Sequence, residues 1–191
     1  MLKFDNVSFS YGNTLVLDNF SFEIKKGECA ALFGKSGCGK TTVTRLILGL
    51  EKADSGQIKN SANVSCVFQE DRLLPHLDVV KNICINPSKT DFALCNRLIK
   101  LFGLSGYEHA KIGELSGGMR RRVAIIRAIC FEADLLILDE ALNGIDEQNK
   151  KIIAKFLKDE YVSSGKSILM ISHVKEDLEL MDAKIINMKS L

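Results

Sequence analysis

The sequence predicts an α/β fold built on a parallel sheet. Three observations carry this reading. Short apolar runs of strand length alternate with segments of helical period, the pattern of strand–helix–strand crossovers. A glycine-rich loop at residues 34–41 joins one such run to one such helix. The strand-like runs then stop between residues 70 and 132, where helical patterning takes over, so a helical segment is inserted into the order.

The elements follow from side-chain period. Residues 2–33 read as β. Within them Phe20, Phe22 and Ile24 alternate with Ser21, Glu23 and Lys25, as in a half-buried strand. Lys26, Gly27 and Glu28 make a turn into the short apolar strand Cys29–Phe33. Residues 40–50 switch to helical period, and 63–68 return to strand. The stretch 70–132 is mainly helical, with Pro75 and Pro87, the only two prolines, as breakers. Residues 135–138 are a buried strand. Residues 147–162 are a helix with Ile152, Ile153, Phe156 and Leu157 on one face. Ser167–Ile171 and residues 184–188 complete the strands.

Composition bounds the function. The chain has 191 residues, enough for one domain with a real core. Lys plus Arg number 26 and Asp plus Glu 24, a net charge of +2, so charge gives no case for nucleic acid as a main ligand. No run approaches the roughly 18 apolar residues of a membrane span. The first residues lack the apolar core of a secretion signal, so a cytoplasmic protein is expected. The six cysteines form no C-x-x-C pair, and several lie inside apolar runs, as buried reduced thiols do.

Gly34-Lys35-Ser36-Gly37-Cys38-Gly39-Lys40-Thr41 fits the pattern G-x-x-x-x-G-K-[ST] between a strand and a helix. Glycines let successive N–H groups turn into one concavity, and the helix N-terminus adds partial positive charge. Lys40 can reach the β- and γ-phosphates of a nucleoside triphosphate, and the Thr41 hydroxyl can hold Mg²⁺. The loop alone does not separate kinase, GTPase and ATPase. Cys38, at a helix start beside Lys40, is expected to be a reactive thiol.

Residues 135–138 run into Asp139 and Glu140. Asp139 at the strand tip can share the metal with Thr41, and Glu140 can act as general base on a water. Taken alone the pair could equally be solvated acids at a strand end. Further on, Ser116, Gly117 and Gly118 open a helix running to about Cys130, a second helix end suited to phosphate. Arg120, Arg121 and Arg122 follow in its first turn, where cations oppose the dipole. That position calls for phosphate or acidic neighbours.

At this point the chain resembles the ATP-binding subunit of ABC transporters over nearly its whole length. Leu115 to Met119 is similar to the family signature Leu-Ser-Gly-Gly-Gln. The resemblance implies a P-loop NTPase (RecA-like) core with a parallel sheet, an N-terminal antiparallel β subdomain, and an inserted α-helical subdomain at 70–132, within one ATP-binding domain over 1–191. It implies ATP and Mg²⁺ as cofactors. Tyr11 matches the aromatic that stacks on adenine. Gly34, Ser36, Gly37, Cys38, Gly39, Lys40, Thr41 and Thr42 match the phosphate loop. Gln69 matches the Q-loop glutamine, which touches the metal and the water, and His173 matches the switch histidine. Asn143-Gly144-Ile145-Asp146 matches the D-loop. Singly, Tyr11 could be a surface aromatic, Gln69 a loop amide and His173 a helix cap.

The resemblance also implies partners. Two subunits pack head to tail, so ATP on residues 34–41 of one is closed over by Ser116 to Gly118 of the other. The second subunit is a copy or a paralogue. Separate membrane permease subunits complete the system, which places the chain on the inner face of the membrane; an importer adds a solute-binding protein. Glu70 to Pro75 is similar to the loop in importers of nitrate, taurine and sulfonates, and this favours import of a small solute. Lipoprotein- and peptide-exporting relatives also carry a Leu-Leu-Pro here. A non-transport ABC ATPase is a further reading, although such proteins usually carry coiled-coil insertions or tandem cassettes. A small-molecule kinase leaves Leu115 to Gly118 and His173 unexplained. Met119 departs from the usual Gln, Ala141 from the usual Pro, and Asn143-Gly144-Ile145 from Ser-Ala-Leu, which is expected to loosen the subunit contact. The short tail beyond His173 leads to the expectation that no regulatory domain follows.

Overall fold

A computed structural model describes residues 1–188; positions 189–191 of the expected domain lie outside the described residues. Eight strands in two sheets and six α-helices are described. The first sheet is antiparallel, in the order β2 (Thr14–Ile24), β1 (Leu2–Tyr11), β4 (Ser55–Asn60). Phe4 on the central strand faces Phe22 on one side and Ile58 on the other. The second sheet is parallel, in the order β5 (Val64–Val67), β6 (Leu135–Asp139), β7 (Ser167–Ile171), β3 (Cys29–Phe33), β8 (Lys184–Asn187). β6 and β7 are buried along their full length. That is why 135–138 and 168–171 read as unbroken apolar runs instead of alternating ones.

The helices are α1 (Lys40–Ile47), α2 (Val79–Ile83), α3 (Phe92–Leu101), α4 (Gly117–Cys130), α5 (Glu147–Phe156) and α6 (Lys175–Leu180). Asp78, Asp91, Ser116 and Asp146 cap α2, α3, α4 and α5, each accepting a backbone N–H from the first turn. α5 runs on as a π-helical stretch, Leu157–Val162, inside the helix expected over 147–162.

The strand period of two sorts the core into two faces. Leu135 and Ile137 of β6 pack with Leu32, Val43, Phe4 and Phe22, joining the parallel sheet to α1 and the antiparallel sheet. Leu136 and Leu138 face the other way, against Val123, Ile126, Leu98, Phe102 and Phe156. The core of residues 70–132 is therefore continuous with one face of the sheet. Residues 70–78 are a loop, where a mainly helical stretch was expected. Asn82, fully buried, replaces the missing backbone pairing. Its amide accepts from Leu74 N at 2.7 Å and donates to the carbonyls of Leu74, Leu77 and Asp78 at 3.0–3.2 Å.

Four connections leave the C-terminal ends of parallel strands at one edge: residue 34 after β3, Gln69 after β5, Glu140 after β6 and His173 after β7. This edge is where open α/β sheets bind ligands. Among the described residues no helix is long and apolar enough to cross a membrane.

Candidate active site

The loop between β3 and α1 depends on its glycines. Gly37 (φ 82°) and Gly39 (φ 94°) are left-handed, a region costly for other residues. A Cβ on Gly34 would sit 2.7 Å from both Cys38 Sγ and the Met188 carbonyl oxygen. The Lys40 ammonium folds back into the loop, donating to the Gly34 carbonyl at 2.7 Å and the Lys35 carbonyl at 2.8 Å. A phosphate group would replace these neutral acceptors with charged ones. Cys38 corrects an expectation. Its thiol is 3% exposed, tucked beneath the loop, with Sγ 3.8 Å from Lys40 Nζ. The helix start is as the sequence places it, but burial withholds the sulfur from reagents.

A cleft of about 660 Å³ opens over this loop. Its walls bring together Tyr11, Ser36, Gly37, Gly39, Lys40, Thr41, Thr42, Gln69, Asp139, Glu140 and His173, with Val16 and Ile171. These residues come from six separate parts of the chain. Gly34 and Cys38 do not line the cleft. Tyr11 stays 44% exposed, its ring edge-on to Phe9 with centroids 4.8 Å apart.

Asp139 ends β6 and is 5% exposed. Burial pushes its carboxyl up to about 6, and neighbouring Glu140 adds to this; Lys40 and Arg121 pull the other way without cancelling it. Glu140 lies just past the strand in the left-handed region (φ 49°), its N–H still bonded to the Ile171 carbonyl at 2.8 Å. Its Oε1 lies 3.0 Å from His173 Nδ1, and its Oε2 accepts from Asn143 Nδ2 at 3.1 Å. A carboxylate with a second carboxylate beside it and an imidazole against it can accept a proton from water in the cleft.

Thr41, Gln69 and Asp139 offer a hydroxyl, an amide and a carboxylate, all hard oxygen donors suited to Mg²⁺. Among the described residues no three His, Cys, Asp or Glu side chains gather into a metal cage. The donor set fits a hard cation that takes its remaining ligands from phosphate and water.

The arginines of α4 are held by acid and carbonyls. Arg121 donates to the Phe68 carbonyl at 2.8 Å and to the Gln69 carbonyl, and pairs with Asp71 at 3.2 Å without hydrogen-bond alignment. Arg120 lies 3.9 Å from the same carboxylate. Arg122 is buried and donates to the Phe102 carbonyl at 2.7 Å. Arg127 holds the carbonyls of Asp71 and Arg72 at 3.0 and 2.9 Å. The segment carrying Gln69 is thereby pinned to the helix that Ser116 opens.

Ser116 caps α4, accepting from Met119 N at 3.3 Å. Ser116 and Gly117 are exposed, and neither they nor Gly118 line the cleft. A Cβ on Gly118 would stand 2.9 Å from the Gly144 carbonyl oxygen, so the two loops touch backbone to backbone. Within this chain the two candidate phosphate-binding helix ends stay apart. The sequence singles out Asn143, in the loop similar to the D-loop, and Arg121, among cations that call for phosphate or acid, and Asp71 supplies that acid; it does not reveal the bond of Asn143 to Glu140 or of Arg121 to the Phe68 and Gln69 carbonyls.

Comparison with known proteins shows the family. The ABC transporter family model matches residues 17–143. The spermidine/putrescine import ATP-binding protein PotA of Mycoplasma capricolum is 36% identical, aligned over 98% of this chain and 58% of its own length. That of Bacteroides fragilis is 35% identical, over 97% and 44%. The chain thus spans about half the length of the curated relatives it matches. A solved structure of a bacterial Atm1-family ABC exporter with ATP bound has a TM-score of 0.87 at 25% identity, covering 98% of this chain and 36% of that one. The two-sheet fold, the phosphate loop at the strand edge and the matched residues together place the chain in the ABC transporter family, as a nucleotide-binding domain.

Proposed function

We propose that the chain binds and hydrolyses ATP as the motor subunit of an ABC transporter, driving import of a small solute through separate permease subunits. One observation carries this. Lys40, Asp139, Glu140 and His173 share one cleft, while Ser116 to Gly118 lie outside it. A site of that kind is half complete, and a second subunit must supply the other half.

The residues divide the work. Tyr11 takes the base, and the N–H groups of residues 36–41 with Lys40 take the phosphates. Thr41, Gln69 and Asp139 would hold Mg²⁺, which when bound neutralises phosphate charge. Glu140 accepts the proton of the attacking water, and His173, hydrogen-bonded to it, orients the carboxylate. Ser116 and the Gly117–Gly118 backbone of a second subunit bind the γ-phosphate from the far side. Contact from both sides favours a closed pair, and hydrolysis removes it, so the pair opens. The permease converts that stroke into transport and keeps the subunit on the membrane's inner face. Import is favoured by the loop at residues 70–75 and by the relatives, which are named for spermidine and putrescine import.

The test mixes two inactive chains. Lys40→Ala and Ser116→Arg each give homodimers with two dead sites. A mixed dimer has one site with both residues intact. ATPase activity should reappear on mixing, and wild-type specific activity should rise with protein concentration until dimers dominate. A wild-type rate strictly proportional to protein at nanomolar concentration, with no rescue on mixing, would refute the shared site.

A further inference from the structure

The Glu140 carboxylate is held at both oxygens. His173 Nδ1 lies 3.0 Å from Oε1, and Asn143 Nδ2 donates to Oε2 at 3.1 Å. The contact with Asn143 is local and built into a turn: the Asn143 N–H also donates to the Glu140 carbonyl at 3.2 Å. Asn143 does not line the cleft, so within its own chain it can act on a bound nucleotide only through Glu140. Its NH₂ group carries no charge and can only donate. The terminal torsion of a glutamate is broad, so a free carboxylate presents its lone pairs over a wide arc. A donor on one oxygen narrows that arc and leaves the remaining lone pairs for the water.

The next residue, Gly144 (φ 76°), carries the carbonyl that Gly118 packs against. Asn143 thus stands between Glu140 and the start of α4.

We propose that Asn143 is a positioning residue for hydrolysis, fixing the Glu140 carboxylate through its Oε2 while lying outside the nucleotide cleft. The sequence suggested only that Asn143 weakens a subunit contact; the structure gives it a role inside its own chain. This proposal rests on the reading of Glu140 as the base.

The test measures steady-state ATPase kinetics of the full chain carrying Asn143→Ala, Asn143→Asp or Glu140→Gln, with ATP affinity by calorimetry as the check on folding. Asn143→Ala should lower kcat roughly tenfold to a hundredfold, the worth of one hydrogen bond to a charged group. KM for ATP and calorimetric affinity should stay within about twofold, because the lost contact is realised at the base and not at the nucleotide. Asn143→Asp keeps the shape but turns an acceptor with like charge toward Oε2. It should be slower than Asn143→Ala, whereas a merely space-filling role predicts the reverse order. In single-turnover assays Asn143→Ala should add nothing to Glu140→Gln, since the two act as a unit. Unchanged kcat in Asn143→Ala, or a faster Asn143→Asp, would overturn the proposal while a slow Glu140→Gln left the base in place. Wild-type turnover in Glu140→Gln would overturn both.

Discussion

Asp139→Asn should make the empty protein more stable while disabling its site. Asp139 is 5% exposed, and no hydrogen bond among the described residues offsets the burial of its carboxylate. Burial, with Glu140 adjacent, raises its carboxyl from 3.8 to about 6. The folded chain therefore keeps a proton between about pH 4 and 6 that the unfolded chain has lost. Where the folded state binds more protons, stability falls as pH rises. The penalty grows across that window and is complete above it. At about 1.4 kcal/mol per pH unit, the gap between 3.8 and about 6 amounts to about 3 kcal/mol. Asparagine is neutral at every pH and escapes it. In urea, without metal or nucleotide at pH 7.5, the midpoint should rise by about 1 M or more, with the slope unchanged. At pH 4 the two proteins should unfold together. The same variant should lose the Mg²⁺-dependent part of ATP affinity. Equal or lower stability of the variant at pH 7.5, or a gap as large at pH 4 as at 7.5, would refute the argument that the carboxylate is held against its own solvation.

Three other outcomes follow. Lys40→Ala should abolish tight ATP binding by calorimetry and barely move the melting temperature, because its ammonium touches only Gly34, Lys35 and Cys38; near-normal affinity would remove it from the phosphate site. Lys150 pairs with Asp177 at 3.1 Å, the side chains 12% and 4% exposed, so Lys150→Met should cost about 3–5 kcal/mol in urea unfolding by stranding a buried carboxylate. Adding Asp177→Asn should recover most of that loss. Maleimide should leave buried Cys38 unlabelled in the folded chain, read by peptide mapping; rapid labelling of Cys38 would mean that the loop opens far more than its packing allows.

The elements that were readable in the sequence are those in which burial writes the pattern. β6 and β7 lie between neighbours on both edges and both faces, so 135–138 and 168–171 are apolar without alternation, and only the end residues Asp139 and Ser167 are polar. Ser55–Asn60 shows the opposite case. β4 is exposed and polar, and it is a strand because β1 supplies a partner across an antiparallel ladder. No local signal in Ser-Gly-Gln-Ile-Lys-Asn announces that partner. α6 escaped for want of length, at six residues. In the site, the residues that line the cleft were legible because phosphate chemistry restricts residue type and order. The residues that hold them were not. Arg121 and Arg127 act on backbone carbonyls far along the chain, and that pairing exists only after folding.

The adjacency of Asp139 and Glu140 poses a geometric problem that the fold answers. Consecutive residues of a regular strand point to opposite faces, so a strand running through both could not aim both carboxylates at one cleft. Yet both line it. β6 ends at Asp139, which still pairs with Ile171. Glu140 then turns into the left-handed region at φ 49°, while its N–H stays bonded to the Ile171 carbonyl at 2.8 Å. The turn brings the second carboxylate round to the side of the first. A non-glycine residue there carries strain of about 1–3 kcal/mol, sustained only where surrounding contacts over-determine it. The contacts are present: the Ile171 carbonyl behind, Asn143 on one oxygen, His173 on the other, and Ala141 and Leu142 buried just beyond. Replacing Glu140 by glycine would relax the backbone and delete the base together. On the proposed roles, strain and chemistry belong to one residue, because an acid that would hold the metal and a base that would activate water stand side by side at the end of a single strand.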